Sequence, residues 1–319
     1  MDNTTDVTEI MLSALSKDPH VQIMFFVLFL AIYMLTLLGN TIIIVVIKVD
    51  PHLSTPMYFF LCNLSFTDIF YSTAIVPKML ANFLKQESIS LQGCLAQMYF
   101  ILLSAGAEIF ILSAMAYDRY AAICDPLHYT NTMSKKICIH LTTGAWLMGI
   151  LYASVNTVLA LHLHFCGSNE IGHFSCELPP LLKLSCSDTF LNDVALLSSA
   201  VIIGFGSFIP ILVSYICIVS AILKIQTTEG RHKAFSTCSS HLIVVGLLYV
   251  TALVQYMKPS SVSSTTVDQL LAIQYSILTP MLNPIIYSLK SREVKASLTR
   301  MAGKIQILPK NVHIPKLCI

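Results

Sequence analysis

Seven long apolar segments constrain this chain more than any other feature of its sequence. A helix needs about 20 mostly apolar residues to cross the hydrocarbon core of a bilayer. Segments of that length lie at roughly 22–48, 57–80, 94–122, 137–160, 193–224, 233–257 and 267–289. An amphipathic stretch follows at about 290–301. We therefore predict an all-α membrane protein, a seven-transmembrane helix bundle with a short amphipathic helix after the seventh span.

Charge and motif content narrow the function classes. Only 11% of the residues are charged, against about 25% in soluble proteins. A net charge of +2 without a basic patch argues against nucleic-acid binding. The chain has no phosphate-binding glycine loop, GxSxG, HExxH or CxxC motif. We expect a membrane protein that is not an enzyme and has no resident organic cofactor.

The distribution of Lys and Arg predicts the orientation in the membrane. With the amino terminus outside, 14 of the 19 lysines and arginines lie on the cytoplasmic side, as the positive-inside rule requires. Half of those 14 lie in the carboxyl-terminal tail, so the loops alone give a smaller margin. The predicted parts are an extracellular tail (1–21), the helix bundle (22–289) and a cytoplasmic amphipathic helix and tail (290–319). The acidic amino-terminal region does not resemble a cleavable signal peptide, and Asn3 begins an N-glycosylation triplet.

Several polar residues lie where they need partners. Four cysteines, Cys94, Cys166, Cys176 and Cys186, are predicted on the oxidising side, and as two disulfides they allow three connectivities.

Two carboxylates, Asp68 and Glu108, lie within apolar spans. A mid-membrane acid costs about 2.5–3.5 kcal/mol on insertion scales, so it normally faces the bundle interior. With Asn40, Asn283 and Tyr287 they form either a hydrogen-bonded network that joins helices or a cation or proton site.

Another charged cluster, Asp118, Arg119 and Asp125, ends the third apolar segment just before Pro126. From spacing alone, it is either a solvated helix end or a functional site.

Five motifs carry a resemblance to a known family. They are MAYDRYAAICDPLHY at 115–129, PMYFFLCNLSFTDI at 56–69, HFSCELPPLLKLSCSDT at 173–189, KAFSTCSSHL at 233–242 and PMLNPIIYSL at 280–289. In this order and at this spacing they resemble the signatures of olfactory receptors, a branch of the rhodopsin-like G-protein-coupled receptors. The loop motif is similar to that of the tetrapod-type (class II) members. Two departures are Ser54, where His is commoner, and Leu248-Tyr249-Val250, where the family has an aromatic residue and a glycine around the tyrosine.

The resemblance implies a function and its partners. We expect a plasma-membrane receptor that binds small, volatile, mostly apolar odorants and activates a heterotrimeric stimulatory G protein to raise cyclic AMP. It also implies disulfides Cys94–Cys176 and Cys166–Cys186, and a sodium ion shared by Asp68 and Glu108. A rhodopsin-like receptor for another small ligand is the alternative. A transporter is a weaker one, because the chain shows no inverted repeat or paired broken helices.

The resemblance also assigns roles to individual residues. For G-protein coupling and activation they are Asp118, Arg119, Tyr120, Tyr215, His241, Asn283, Pro284 and Tyr287. His241 has two interpretations, a packed core histidine or part of the activation latch. For ligand binding they are Ile101, Leu102, Ala105, Gly106, Ile109, Leu178, Ser199, Ile202, Ile203, Tyr249, Ala252, Leu253, Tyr256 and Ser276. Most of these are equally suited to helix packing. Ile101 stands where amine receptors carry an acid, which favours an uncharged ligand.

Overall fold

The computed structural model is a bundle of seven spanning helices. It describes residues 8–13, 15–16, 18–85, 88–166, 169–257 and 265–307. The first six spanning helices, in chain order, are Pro19–Val49, Pro56–Lys85, Leu91–Cys124, Lys135–Leu161, Phe190–Lys224 and Thr228–Met257. The seventh consists of Thr265–Ile273, a π-helical turn Gln274–Leu278, and Thr279–Lys290. An amphipathic helix, Arg292–Ile307, follows, and short helical turns lie at Pro51–Leu53, Tyr129–Thr132 and Leu178–Leu182.

The apolar lengths agree with a membrane-spanning bundle, and the predicted fold class is confirmed. Six of the helices contain an 18-residue apolar window, and the sixth contributes a shorter apolar part, Cys238–Val254. The third helix is central, because 67% of its apolar window is buried in protein. The same fraction is only 11% for the first helix, which therefore lies at the rim of the bundle.

Local sequence signals account for most helix ends. Asp18 and Ser90 accept backbone N–H bonds at the starts of the first and third helices, as N-cap residues do. Pro56 opens the second helix, where its missing N–H removes no bond. Pro77 lies inside this helix, which continues to Lys85. Spanning helices tolerate such a proline because neighbouring helices and local adjustments satisfy the freed backbone groups.

Glycine permits a close contact between the third and fourth helices. A Cβ on Gly149 would lie 2.5 Å from the Leu103 carbonyl oxygen, and one on Gly106 would lie 2.9 Å from the Gly149 Cα. Small residues at such crossings let backbones approach in membranes, where helix association depends on packing. The third helix is therefore held directly against the fourth.

A small β-sheet covers part of the outer face. Strand β1 (Glu9–Leu12) lies between β2 (Ile89–Ser90), which is antiparallel to it, and β3 (Glu170–Ile171), which is parallel. Its Ile10 side chain is buried in the cluster that contains Cys94 and Cys176. The sequence predicted this segment only as part of a tail, because four residues are too few for a periodic signal.

Candidate functional site

The two intramembrane carboxylates lie in a polar centre in the middle of the bundle. Asn283 Nδ2 donates to both carboxylate oxygens of Asp68, at 3.1 and 3.0 Å. Asn40 Nδ2 donates at 3.0 Å to the Pro280 carbonyl, which joins the first helix to the seventh. Glu108 is 4% exposed, so all these groups are removed from water.

The polar centre has unused oxygen atoms. Within the described part of the chain, Glu108 Oε1, Asn283 Oδ1, Asn40 Oδ1 and the Tyr287 hydroxyl are buried without a hydrogen-bond partner. Carboxylate and amide oxygens are the ligands that hard cations prefer. The donor set therefore fits a cation held by Asp68 and Glu108. No group of three or more His, Cys, Asp or Glu side chains with metal-binding geometry occurs among those residues, so amide oxygens would have to complete the set.

Arg119 is held by its neighbour near the carboxyl-terminal end of the third helix. Its guanidinium donates through Nε at 3.0 Å to Asp118 Oδ2, and through Nη2 to the same oxygen. Tyr129, on the turn that follows the helix, donates from its hydroxyl to Asp118 Oδ1 at 2.8 Å. Burial, and then the negative charge of Asp118, raise the pKa of Tyr129 above its ordinary value. The Asp118 side chain is fully buried and that of Arg119 is 13% exposed, so this pair is not a solvated helix end.

A second set of hydrogen bonds, made by His241, joins three helices further into the bundle than Arg119. His241 of the sixth helix is fully buried, and its Nδ1 lies 2.7 Å from the Tyr215 hydroxyl of the fifth helix. Its Nε2 lies 2.9 Å from the Leu112 carbonyl of the third helix, which makes Nε2 the protonated nitrogen and Nδ1 the acceptor. His241 is therefore a packed histidine that also hydrogen-bonds to the third and fifth helices. In an activation latch, the sixth helix would have to separate from these two helices.

The described ligand-binding candidates do not form a single cluster. Ile101 packs with residues of the second and seventh helices and with Phe174 of the long outer loop. Leu102 and Leu178 pack beside the Cys94–Cys176 disulfide. Ala105 and Ile109 are half-buried and Ile203 is buried. The Tyr249 hydroxyl lies 2.7 Å from Ser207 Oγ on the fifth helix.

The two serine candidates use their hydroxyl protons inside their own helices. Ser199 Oγ donates to the Ala195 carbonyl and Ser276 Oγ to the Ala272 carbonyl, each at 2.6 Å. Both oxygens keep lone pairs, so each can still accept a hydrogen bond.

Four predicted ligand residues do not fit an interior pocket. Ile202 is 65% exposed and Leu253 is 56% exposed, so both lie on the outer surface of the bundle, as does Ala252. Gly106 faces the fourth helix and has no room for a ligand. The sequence misplaced Ile202, Ala252 and Leu253 because lipid-facing and interior surfaces are both apolar. The side chain of Tyr256 and the glycosylation candidate Asn3 lie outside what the structure describes.

The outer loops are tied down over the bundle. Disulfides join Cys94 to Cys176 and Cys166 to Cys186, with Cα atoms 5.3 and 5.9 Å apart. Gln97 Oε1 accepts from the Cys176 N–H at 2.9 Å. Two surface hollows of about 320 and 470 Å³ open at this outer face. Neither is lined by a predicted ligand-binding residue, and both are open to solvent.

Some contacts of the site were missed from sequence. Tyr129 gives no periodic signal because it follows Pro126 in a turn. Thr251 and Gln274 hydrogen-bond between the sixth and seventh helices, and a Gln in an apolar span was a usable signal. Beyond the end of the first helix, Arg300 bonds to Asp50 and holds the pKa of that carboxyl below its usual range, which fixes the amphipathic helix to the first loop.

The architecture is that of the rhodopsin-like seven-helix membrane proteins. Squid rhodopsin superposes with a TM-score of 0.69 at 16% identity, covering 91% of this chain and 87% of that one. A family model described as "Olfactory receptor" matches residues 29–304. The chain belongs to the olfactory receptor family, whose members are receptors and not enzymes.

Individual relatives match over nearly the whole chain. Mouse (Mus musculus) olfactory receptor 5AR1 is 47% identical, covering 95% of this chain and 98% of the relative. Human (Homo sapiens) olfactory receptor 1F1 is 46% identical, covering 95% and 97%. The protein is thus an odorant-type, multi-pass receptor of the plasma membrane, and the recognised resemblance is confirmed.

Proposed function

We propose that this protein binds small, largely uncharged volatile molecules in the outer half of the bundle and activates a stimulatory G protein that raises cyclic AMP. The observation that supports it best is the buried Asp118–Arg119 pair at the cytoplasmic end of the central helix. The same helix carries Ile101 and Ala105 about four to five turns away from Arg119. One rigid helix therefore connects the proposed ligand site to the proposed contact with the G protein.

The ligand class follows from the lining. Ile101, Leu178 and Ile203 are apolar, and Ser199 and Ser276 supply hydrogen-bond acceptors. Burial of apolar surface, at about 25 cal/mol per Å², would supply most of the affinity, and a few polar groups would orient the ligand. The amino terminus lies outside and the carboxyl terminus in the cytosol, which puts Arg119 on the side of the G protein.

Ala105→Phe tests the ligand site. We expect the added ring to fill the space beside the third helix and to raise the half-maximal agonist concentration at least about tenfold, the equivalent of 1.4 kcal/mol. The measurement is a cyclic-AMP reporter response in cells to a panel of volatile alcohols, aldehydes, ketones and esters. Val158→Phe is the matched control, because Val158 is 52% exposed on the outer surface of the fourth helix. An unchanged dose–response curve for Ala105→Phe at normal surface level would exclude this position.

A cation between Asp68 and Glu108 is the second part of the proposal. The acceptor oxygens left unpaired around them support it. Asp68→Asn is expected to keep the receptor at the surface, and to remove the change in basal and agonist-stimulated cyclic AMP that follows replacement of external sodium by choline. Glu108→Gln should act alike. Asp193→Asn, an exposed acid of the fifth helix, is the control. A sodium effect of full size in both variants would leave only the hydrogen-bonded network.

A further inference from the structure

Gln274 stands at an irregular point of the seventh helix. It begins the π-helical turn Gln274–Leu278, the one departure from α geometry within the described spanning helices. Such turns inside α-helices are frequently found at functional sites. The side chain is half-buried within an apolar span, so its amide needs partners inside the bundle.

The amide of Gln274 has a partner at each end. One end bonds to Thr251 Oγ1 of the sixth helix. The other lies 3.2 Å from Thr279 Oγ1, at the end of the π turn. Thr251 is 8% exposed and Thr279 is 2% exposed, so water does not compete for these bonds. Gln274 therefore bridges the sixth and seventh helices.

The hydrogen atoms of the bridge can all be accommodated. Thr251 Oγ1 also lies 2.7 Å from the Leu247 carbonyl, and a hydroxyl has only one proton to donate. In the structure that proton is directed to Gln274 Oε1. Gln274 Nε2 donates to Thr279 Oγ1, whose own hydroxyl donates to the Gln274 backbone carbonyl at 3.1 Å. The assignment of amide nitrogen and oxygen is a choice made from such networks, and both orientations keep the link between the helices.

The π turn also touches the proposed ligand level. Ile277 packs in the same cluster as Ile101 of the third helix, and Ser276 lies within the turn. A ligand that contacts Ile101 or Ser276 therefore acts on the same turn that holds the Gln274 amide. Two residues before Thr251, Tyr249 bonds to Ser207 of the fifth helix, so the sixth helix is held on both sides at this level.

We propose that Gln274 is a positioning residue that couples agonist contact at the seventh helix to the sixth helix through Thr251. The inference rests on the proposed function and adds the premise that the sixth helix moves away from the seventh on activation. The bridge exists in the conformation described here and must break when the two helices separate. It therefore stabilises the resting state, and an agonist that displaces the π turn weakens it.

The experiment measures basal cyclic AMP of the full-length receptor at matched surface level. Gln274→Leu and Thr251→Val each remove the bridge with little change in shape, and each should raise basal cyclic AMP about fivefold, the effect of one buried hydrogen bond. The double variant should rise no further than the larger single one, because both remove the same bond. Thr251→Ser keeps the hydroxyl and should stay at the wild-type level.

Gln269→Leu is the matched control. Gln269 lies on the same helix, but its amide contacts the Gly172 carbonyl of the outer loop, at 3.4 Å, and not the sixth helix. Unchanged basal cyclic AMP in Thr251→Val, additive effects in the double variant, or a rise in Thr251→Ser equal to that in Thr251→Val would overturn the proposal. In each case the wild type would still respond to the volatile panel. Failure of the proposed function would give a different result. The wild type would then show no response to the volatile panel, or a response that Arg119→Ala does not reduce. Thr251→Val alone decides the question if Gln274→Leu does not reach the surface.

Discussion

Arg119→Ala should reduce agonist-stimulated cyclic AMP to background while receptor remains at the cell surface. The physical reason is that arginine is always charged and makes several directed hydrogen bonds, which the proposed contact with the G protein needs. The measurement pairs a cyclic-AMP reporter with surface labelling, so that coupling is normalised to receptor number.

The buried partner of Arg119 calls for a second variant. Removing one member of a buried ion pair costs about 3–5 kcal/mol because the other charge is left uncompensated, and Asp118 is fully buried. Asp118→Asn combined with Arg119→Ala removes that charge, so the double variant should keep at least the surface level of Arg119→Ala and still give no signal. Tyr129→Phe, which removes one hydrogen bond to Asp118 and keeps the arginine, should retain signalling. A normal agonist response in the double variant would refute the role of Arg119.

Gly149→Leu should lower the amount of receptor at the surface by more than about fivefold. Even a Cβ at this position would lie 2.5 Å from the backbone oxygen of Leu103 and 2.9 Å from the Ala107 nitrogen. Backbone atoms cannot rotate away, so the third and fourth helices would have to move apart. Overpacking a tight interface typically costs 1–3 kcal/mol, and occasionally more.

The fourth helix supplies its own control for this prediction. Gly144 has nothing within 4 Å of the position of a Cβ, so Gly144→Leu should change the surface level little. Surface immunolabelling and the thermal stability of detergent-solubilised receptor measure both variants. Equal behaviour of the two variants would show that the close approach at Gly149 does not limit folding.

Hydropathy and motif spacing predicted the spans and the family, because the bilayer imposes one length and one polarity on every spanning helix. The sequence left His241 as either a packed core histidine or part of an activation latch, and its bonds to Tyr215 and Leu112 are seen only in the structure. The outer β-sheet was not predicted, since strands of two to four residues depend on pairing with distant segments.

The inward face of each helix was the least predictable part of the candidate site. In a soluble protein the polar face of a helix identifies the apolar face as interior. Lipid removes that signal, so Ile202 and Leu253 looked as suitable as Ile101 and Ile203. Only packing between helices separates the two sets.

The sequence by itself determined the seven spans, the family, and the presence of two acids and one Asp–Arg pair in the bundle, because composition and local order carry that information. Tertiary structure alone decided which polar groups meet. Asp68 meets Asn283 across 215 positions of the chain, and Gln274 meets Thr251 through a π turn that no hydropathy pattern shows. Such pairs depend on how helices cross and rotate, and those angles follow from packing at a few contacts, such as the one between Gly149 and Leu103.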